Sequence, residues 1–138
     1  MVVYSEIYPN CWGVEKIRVD DVFSGYLEET LSKCGLKLVG TADWPERNGQ
    51  PQGYVALYEL VDKDGDKFYI FTNSDLVEEF VYVISDKLEE AIATAKEDFI
   101  NWAKRHFDGE ELERELEEIE ETFKRLEEDI KERKVVAQ

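Results

Sequence analysis

The sequence is poor in the residue types that announce chemistry, with one histidine, two cysteines and one methionine in 138 residues. A lone histidine, His106, excludes a multi-histidine metal site. Its place near the end of an apolar helical stripe suits a cap on late carbonyls instead. Two cysteines, Cys11 and Cys34, are too few for a disulfide framework and are not spaced as a CxxC pair, so both are expected as free thiols. No GxGxxG or Walker-type phosphate loop occurs, nor a GxSxG nucleophile elbow. Apolar runs stay far short of the roughly 20 residues that span a bilayer. The start, Met1-Val2-Val3-Tyr4-Ser5-Glu6, has neither the basic nor the apolar region of a secretory leader, so a cytoplasmic, non-membrane protein is expected. Bases are scarce too: 17 Lys and Arg against 33 Asp and Glu leave a formal net charge of −16. That imbalance opposes direct binding to nucleic acid or anionic lipid, which repel the chain at long range.

What is present is enough for a core. Apolar residues make up 43% of the chain and aromatics 12%, which excludes global disorder at this length and fits one domain. Charged residues reach 36%, rich in Glu and Lys, while Asn and Gln together number seven, the bias of heat-adapted proteins.

Along the chain, Val2 to Tyr8 and Val14 to Val19 read as short strands separated by Pro9-Asn10 and Cys11-Trp12-Gly13. Asp20 or Asp21 then caps a helix whose stripe runs Val22, Phe23, Tyr26, Leu27, Thr30, Leu31, Cys34, with Gly35 as its stop. Leu36 to Thr41 returns as a strand, and Ala42 to Gly53, rich in Pro, Asn and Gly, reads as a long loop. Two β-prone runs flank Lys63-Asp64-Gly65-Asp66, and Asp64-Gly65 is a preferred type I′ dipeptide. A two-residue turn there pairs Asp62 with Lys67, Val61 with Phe68 and Glu59 with Ile70. Neither face of that hairpin is polar, so its strands are covered on both sides or keep one face for a partner. Ser74-Asp75 starts a short helical turn, Phe80 to Ile84 is another strand, and Asp86 with Glu89 has capping-box spacing. Leu88, Ile92, Ala95, Phe99, Trp102 and His106 then recur every three or four residues. After Asp108-Gly109, so do Leu112, Leu116, Ile119, Phe123, Leu126 and Ile130, and the short connection makes an antiparallel helical hairpin.

The candidate sites each have a plain alternative. Asp62-Lys63-Asp64-Gly65-Asp66 looks like a calcium loop, but Lys67 and Asn73 stand where the loop needs glycine and a bidentate glutamate, so no metal is expected. No cofactor is expected either. Glu59 falls among aliphatic residues in the hairpin register above. It is therefore either paired with a base such as Lys37 or Arg18, or functional with a raised pKa. Cys11, in a turn beside Trp12, is a weaker catalytic candidate that depends on a depressed thiol pKa. Both belong to one possibility: a small enzyme or ligand-binding domain with a pocket between the Cys11-Trp12 turn and the Trp44-Pro45 loop. Glu110 to Glu121 holds eight glutamates and only Arg114 as a base. That ridge imitates phosphates, as an inhibitor of a basic nucleic-acid-binding protein would, or is simply a solvated face laced by i,i+4 pairs.

Together these features predict an α+β domain over residues 1–138, with a mainly antiparallel sheet and packed helix in 1–85 and a long helical hairpin in 86–134. The expected function is that of a non-enzymatic, acidic protein-interaction or regulatory domain with an unidentified protein partner. It is expected to form a homodimer through Phe99, Trp102, Leu116, Ile119, Phe123 and Leu126. Helices of about 33 Å and 37 Å overhang a six-residue strand of about 20 Å, and a second copy covers the excess by closing a four-helix arrangement. The alternative is that the hairpin lies back on its own sheet.

Overall fold

β-Branched and aromatic residues dominate Tyr54–Val61 and Lys67–Ser74, and the chain uses both as central strands. A computed structural model describes residues 2–3, 6–7, 17–18, 22–24, 37–61, 67–75 and 78–137. In chain order the strands are β1 (Val2–Val3), β2 (Glu6–Ile7), β3 (Ile17–Arg18), β4 (Val22–Ser24), β5 (Lys37–Asp43), β6 (Tyr54–Val61), β7 (Lys67–Ser74) and β8 (Glu78–Ser85). Helices α1 (Leu88–His106) and α2 (Gly109–Ala137) follow. The fold is α+β. Its main sheet is antiparallel in the order β1-β8-β7-β6-β5, with β4 also pairing β8, while β2 and β3 form a separate ribbon.

Val55, Leu57, Phe71 and Val83 share one face of this sheet, and both helices lie on it. Ala91, Ile92, Ala95, Phe99 and Ala103 of α1, with Ile119, Phe123, Leu126 and Ile130 of α2, complete a single buried cluster. At its centre the Phe71 and Phe123 rings stack at 5.5 Å, and Phe99 meets both edge-on. Ala56, Tyr58, Ile70 and Thr72, on the opposite face, are buried as well. Strands β6 and β7 are thus covered on both sides, as their two apolar faces require.

Several expectations need correction. The β6–β7 register is displaced by one residue: Val61 pairs with Lys67, Leu60 with Phe68 and Glu59 with Tyr69. Five residues therefore separate the last pair, and 62–66, including Asp64-Gly65, lie outside the described residues. Because side chains alternate, a one-residue slip turns every β7 residue to the other face. The observed register places Phe71 beneath the helices and Glu59 opposite Tyr69 instead of Ile70, which keeps the carboxylate out of an aliphatic layer. Val22 and Phe23, expected to begin a helix, are extended in β4 and pair with Phe80 and Glu79 of β8. The rest of that expected helix, with Cys34, lies outside the described residues. Val2 to Tyr8 is divided between two strands that serve different sheets. Ser74 ends a strand in place of starting a helical turn.

The stretch after β5 is more ordered than a long loop. Asn48 and Gly49 have φ of 54° and 75°, and Arg47 and Gln50 exchange both backbone bonds at 2.9 and 3.0 Å. Positive φ at both central residues with reciprocal bonding is a two-residue turn of type I′, for which Asn-Gly is a favoured pair. The Asp86–Glu89 capping box is also replaced. Lys87 is the N-cap without a side-chain cap bond, and the Ser85 hydroxyl accepts the Lys87 N–H at 3.0 Å and donates to Glu90 at 3.2 Å. The helical hairpin itself is as expected, joined through Phe107-Asp108, with Gly109 at φ 57° opening α2.

Candidate functional site

Strand β5 lies at the edge of the sheet, and α2 covers it. Gly40 makes this approach possible, since a Cβ there would stand 2.5 Å from Ile130 Cγ1. Polar contacts fix the docking. The Thr41 N–H donates to Asp129 Oδ2 at 2.9 Å, and Arg125 Nη2 donates to the Asp43 carbonyl at 2.6 Å. Arg47, just before the Asn48-Gly49 turn, bonds Glu118 at 2.7 Å and also Glu115. Both acids belong to the glutamate ridge, yet Glu115 is only 7% exposed. The ridge is therefore not one continuous solvated face. Of its expected i,i+4 pairs, Glu121–Arg125 lies at 3.9 Å and Asp129–Arg133 at 2.7 Å, while Glu120 reaches across to Lys96 of α1 at 2.8 Å. Sequence reasoning missed Arg47 altogether. Its signal was the position of Glu115, four residues before the buried Ile119, which puts it on the inward flank of the stripe.

The outer seam between the helices is open. Leu116, over the buried Phe123, floors one depression of about 640 Å³, rimmed by Glu117, Glu120, Glu121 and Glu127 and by Lys124. Leu88, Ile92 and Ile130 floor a second of about 410 Å³ whose rim, with Lys131, Lys134 and Glu89, is the more basic; Lys96 and Glu127 border both. The Lys96–Glu120 ion pair thus crosses a groove about 27 Å long from Leu116 to Lys134, at 1.5 Å per residue.

The predicted interaction residues divide sharply around this groove. Phe99, Ile119, Phe123 and Leu126 are at most 8% exposed and belong to the core formed with the sheet. They are covered within one chain, contrary to the premise that a second copy has to cover them. Leu116 is partly buried in the groove, and Trp102, 42% exposed, meets Phe107 edge-on and His106 at a tilt. Ala103, not Trp102, takes the inward position on α1.

Of the candidate pocket between the Cys11-Trp12 turn and the Trp44-Pro45 loop, only the Trp44 side lies among the described residues. Trp44 packs edge-on to Phe99 at 5.2 Å and donates its indole N–H to Asn73 at 2.6 Å, so it is part of the core margin. Cys11 and Trp12 lie outside the described residues. Glu59 is half-buried, 3.6 Å from Lys67, and pairs in register with Lys37. It borders a small pocket of about 230 Å³ that also includes Lys37, Tyr69, Leu88, Arg133 and Lys134. Burial, aided by the Glu59 charge, raises the Tyr69 phenol above its ordinary pKa. Among the described residues, no three His, Cys, Asp or Glu side chains are grouped to hold a metal ion. No described helix is long and apolar enough to cross a membrane.

No protein-family model, curated protein sequence or solved structure matches the chain. The groove and the pocket therefore have to be read from their own chemistry.

Proposed function

We propose that the protein is a non-enzymatic interaction module that receives a basic, amphipathic helix of another protein in the groove between α1 and α2. The observation that carries this reading is the partly buried Leu116, over the buried Phe123, beneath a rim where Glu117, Glu120, Glu121 and Glu127 outnumber Lys96 and Lys124. The other end of the groove, with Lys96, Lys131 and Lys134, is basic, so the bases of the partner helix belong at the Leu116 end. A helix laid in such a groove buries its apolar side on the floor and sets its bases against the glutamates. Charge complementarity speeds encounter with a basic partner, and the −16 net charge extends the attraction beyond the groove. A second copy of the chain is a poorer occupant, because its acidic rim meets this one like to like. Homodimerisation through the same seam therefore requires that repulsion to be screened. Phosphate mimicry draws on the same outward glutamates without using the apolar floor.

Calorimetric titration with a synthetic 18-residue Leu/Lys peptide, helical and amphipathic, tests the proposal against a scrambled peptide of equal composition. The amphipathic peptide is expected to bind and to weaken as salt rises. Glu117→Lys, Glu120→Lys and Glu121→Lys combined should weaken it by about tenfold or more, equivalent to about 1.4 kcal/mol. Equal affinity for the scrambled peptide, or for the triple variant, overturns the groove reading.

A further inference from the structure

The pocket beside Glu59 departs from the charge of the rest of the molecule. Three of its lining residues, Lys37, Arg133 and Lys134, are cations, although acids outnumber bases nearly two to one in the chain. Its acids are already engaged: Glu59 lies 3.6 Å from Lys67, and Asp129, next to the pocket, accepts from Arg133 at 2.7 Å. The ammonium groups of Lys37 and Lys134 have no ion-pair partner among the described residues. Leu38, Val39 and Leu88 supply an apolar wall, and the Tyr69 hydroxyl, in the same lining, is engaged with Glu59.

We propose that this pocket binds a small amphipathic carboxylate, with the carboxylate between Lys37 and Lys134 and the apolar body against Leu38, Val39 and Leu88. The volume of about 230 Å³ suits a single ring or a short aliphatic chain. The long-range field of the chain opposes any anion, but at physiological ionic strength that field decays over about 8 Å, so the unpaired ammonium groups dominate at the pocket. Charge alone would serve inorganic phosphate equally well. The apolar wall is what selects a carboxylate that carries a hydrocarbon body, since only that body gains from leaving water.

The site is separate from the interhelical groove, and its test does not depend on that reading. Benzoate and hexanoate are titrated into isotopically labelled protein, with inorganic phosphate as the control, and backbone amide shifts are followed. Saturable shifts at Lys37, Leu38, Val39, Tyr69 and Leu88 are expected from both carboxylates and not from phosphate. Lys37→Glu with Lys134→Glu, both at exposed positions, should weaken benzoate by about tenfold or more while the amide spectrum stays that of a folded chain, even though a glutamate opposite Glu59 on β6 lowers the unfolding midpoint. Shifts that do not saturate, that spread over the surface, that phosphate reproduces, or that survive the double charge reversal overturn the proposal.

Discussion

Gly40 carries more of the architecture than its size suggests, because the space it leaves is filled by α2. A Cβ at this position lies 2.5 Å from Ile130 Cγ1, with the Ile130 backbone nitrogen and Leu126 Cδ1 both at 3.4 Å, so either the buried Ile130 side chain leaves its place or α2 moves off the strand. Gly40→Ala is therefore expected to lower stability by about 1–3 kcal/mol, the usual cost of overpacking, despite the entropic gain of replacing glycine. Ile130→Ala removes the colliding atom while opening a cavity of its own. Denaturant unfolding of both single variants and the double variant checks the coupling, and the double should lose less than the two singles added. Simple additivity would mean that Gly40 does not set the distance between strand and helix. Glu59 shows the opposite relation of residue to surroundings: its cross-strand neighbours are ones that accommodate a polar side chain. The observed register gives it Tyr69 and Lys67 as neighbours and leaves it half-buried at the sheet margin, 3.6 Å from the Lys67 ammonium.

At the scale of elements, α2 is both a core helix and the cover of a sheet edge. An uncovered β5 would present unpaired backbone groups to any passing strand, and Asp129 and Arg125 of α2 occupy two of those groups. Burial pushes the Asp129 carboxyl up, but the bonds from Arg133 and the Thr41 N–H outweigh it and hold its pKa below the ordinary value of 3.8. A lowered carboxylate contributes stability that is fully present above the unfolded value and is lost as pH falls through the folded one. Asp129→Ala is accordingly expected to cost on the order of 1 kcal/mol near neutral pH, after allowance for its partial exposure. The gap between variant and wild type should close as pH drops below 3.8, within acid titrations of the denaturant midpoint. A gap that stays constant with pH would assign the loss to packing alone. The helical hairpin was legible from its repeat of three and four, since burial of one stripe on each helix imposes that period. The β6–β7 register was not. Opposite charges and a favoured dipeptide at Asp64-Gly65 argued for one pairing locally, but the core needed Phe71 on the helix side. The type I′ turn did form at a favoured dipeptide, Asn48-Gly49, where clustered proline and glycine made the segment read as a loop. Arg47 was invisible for a related reason. Its partners Glu115 and Glu118 lie about 70 positions away, and only the folded chain brings them together.

For the whole molecule, the division between core and surface along the helices decides what the candidate interaction residues do. An overhanging hairpin would have exposed both stripes beyond the sheet. Instead six strands, with α2 lying along β5, give the helices enough surface to rest on, and the aromatic stripe closes on Phe71 and Trp44. Phe123→Asp would then put a carboxylate between Phe71 and Phe99 in the centre of the protein, against two rings that offer it no hydrogen bond. Lost packing of a buried phenylalanine alone costs about 3–5 kcal/mol, a large fraction of the 5–15 kcal/mol that holds a typical domain together. The chain should unfold or become molten, with loss of near-ultraviolet dichroism and gain of dye binding. Trp102→Asp changes an aromatic of similar rank in the same helical repeat, but one that is 42% exposed. It is expected to leave the unfolding midpoint within about 0.5 kcal/mol of wild type, the usual range for surface positions. Sedimentation equilibrium at low and high salt completes the comparison. A single core predicts a 16.1 kDa species at low salt, where the acidic rims of two copies repel most strongly. A low-salt dimer that Trp102→Asp dissociates, with each chain still folded, would return Trp102 to the role of an interface residue and place the contact at the connection between the helices, away from the groove.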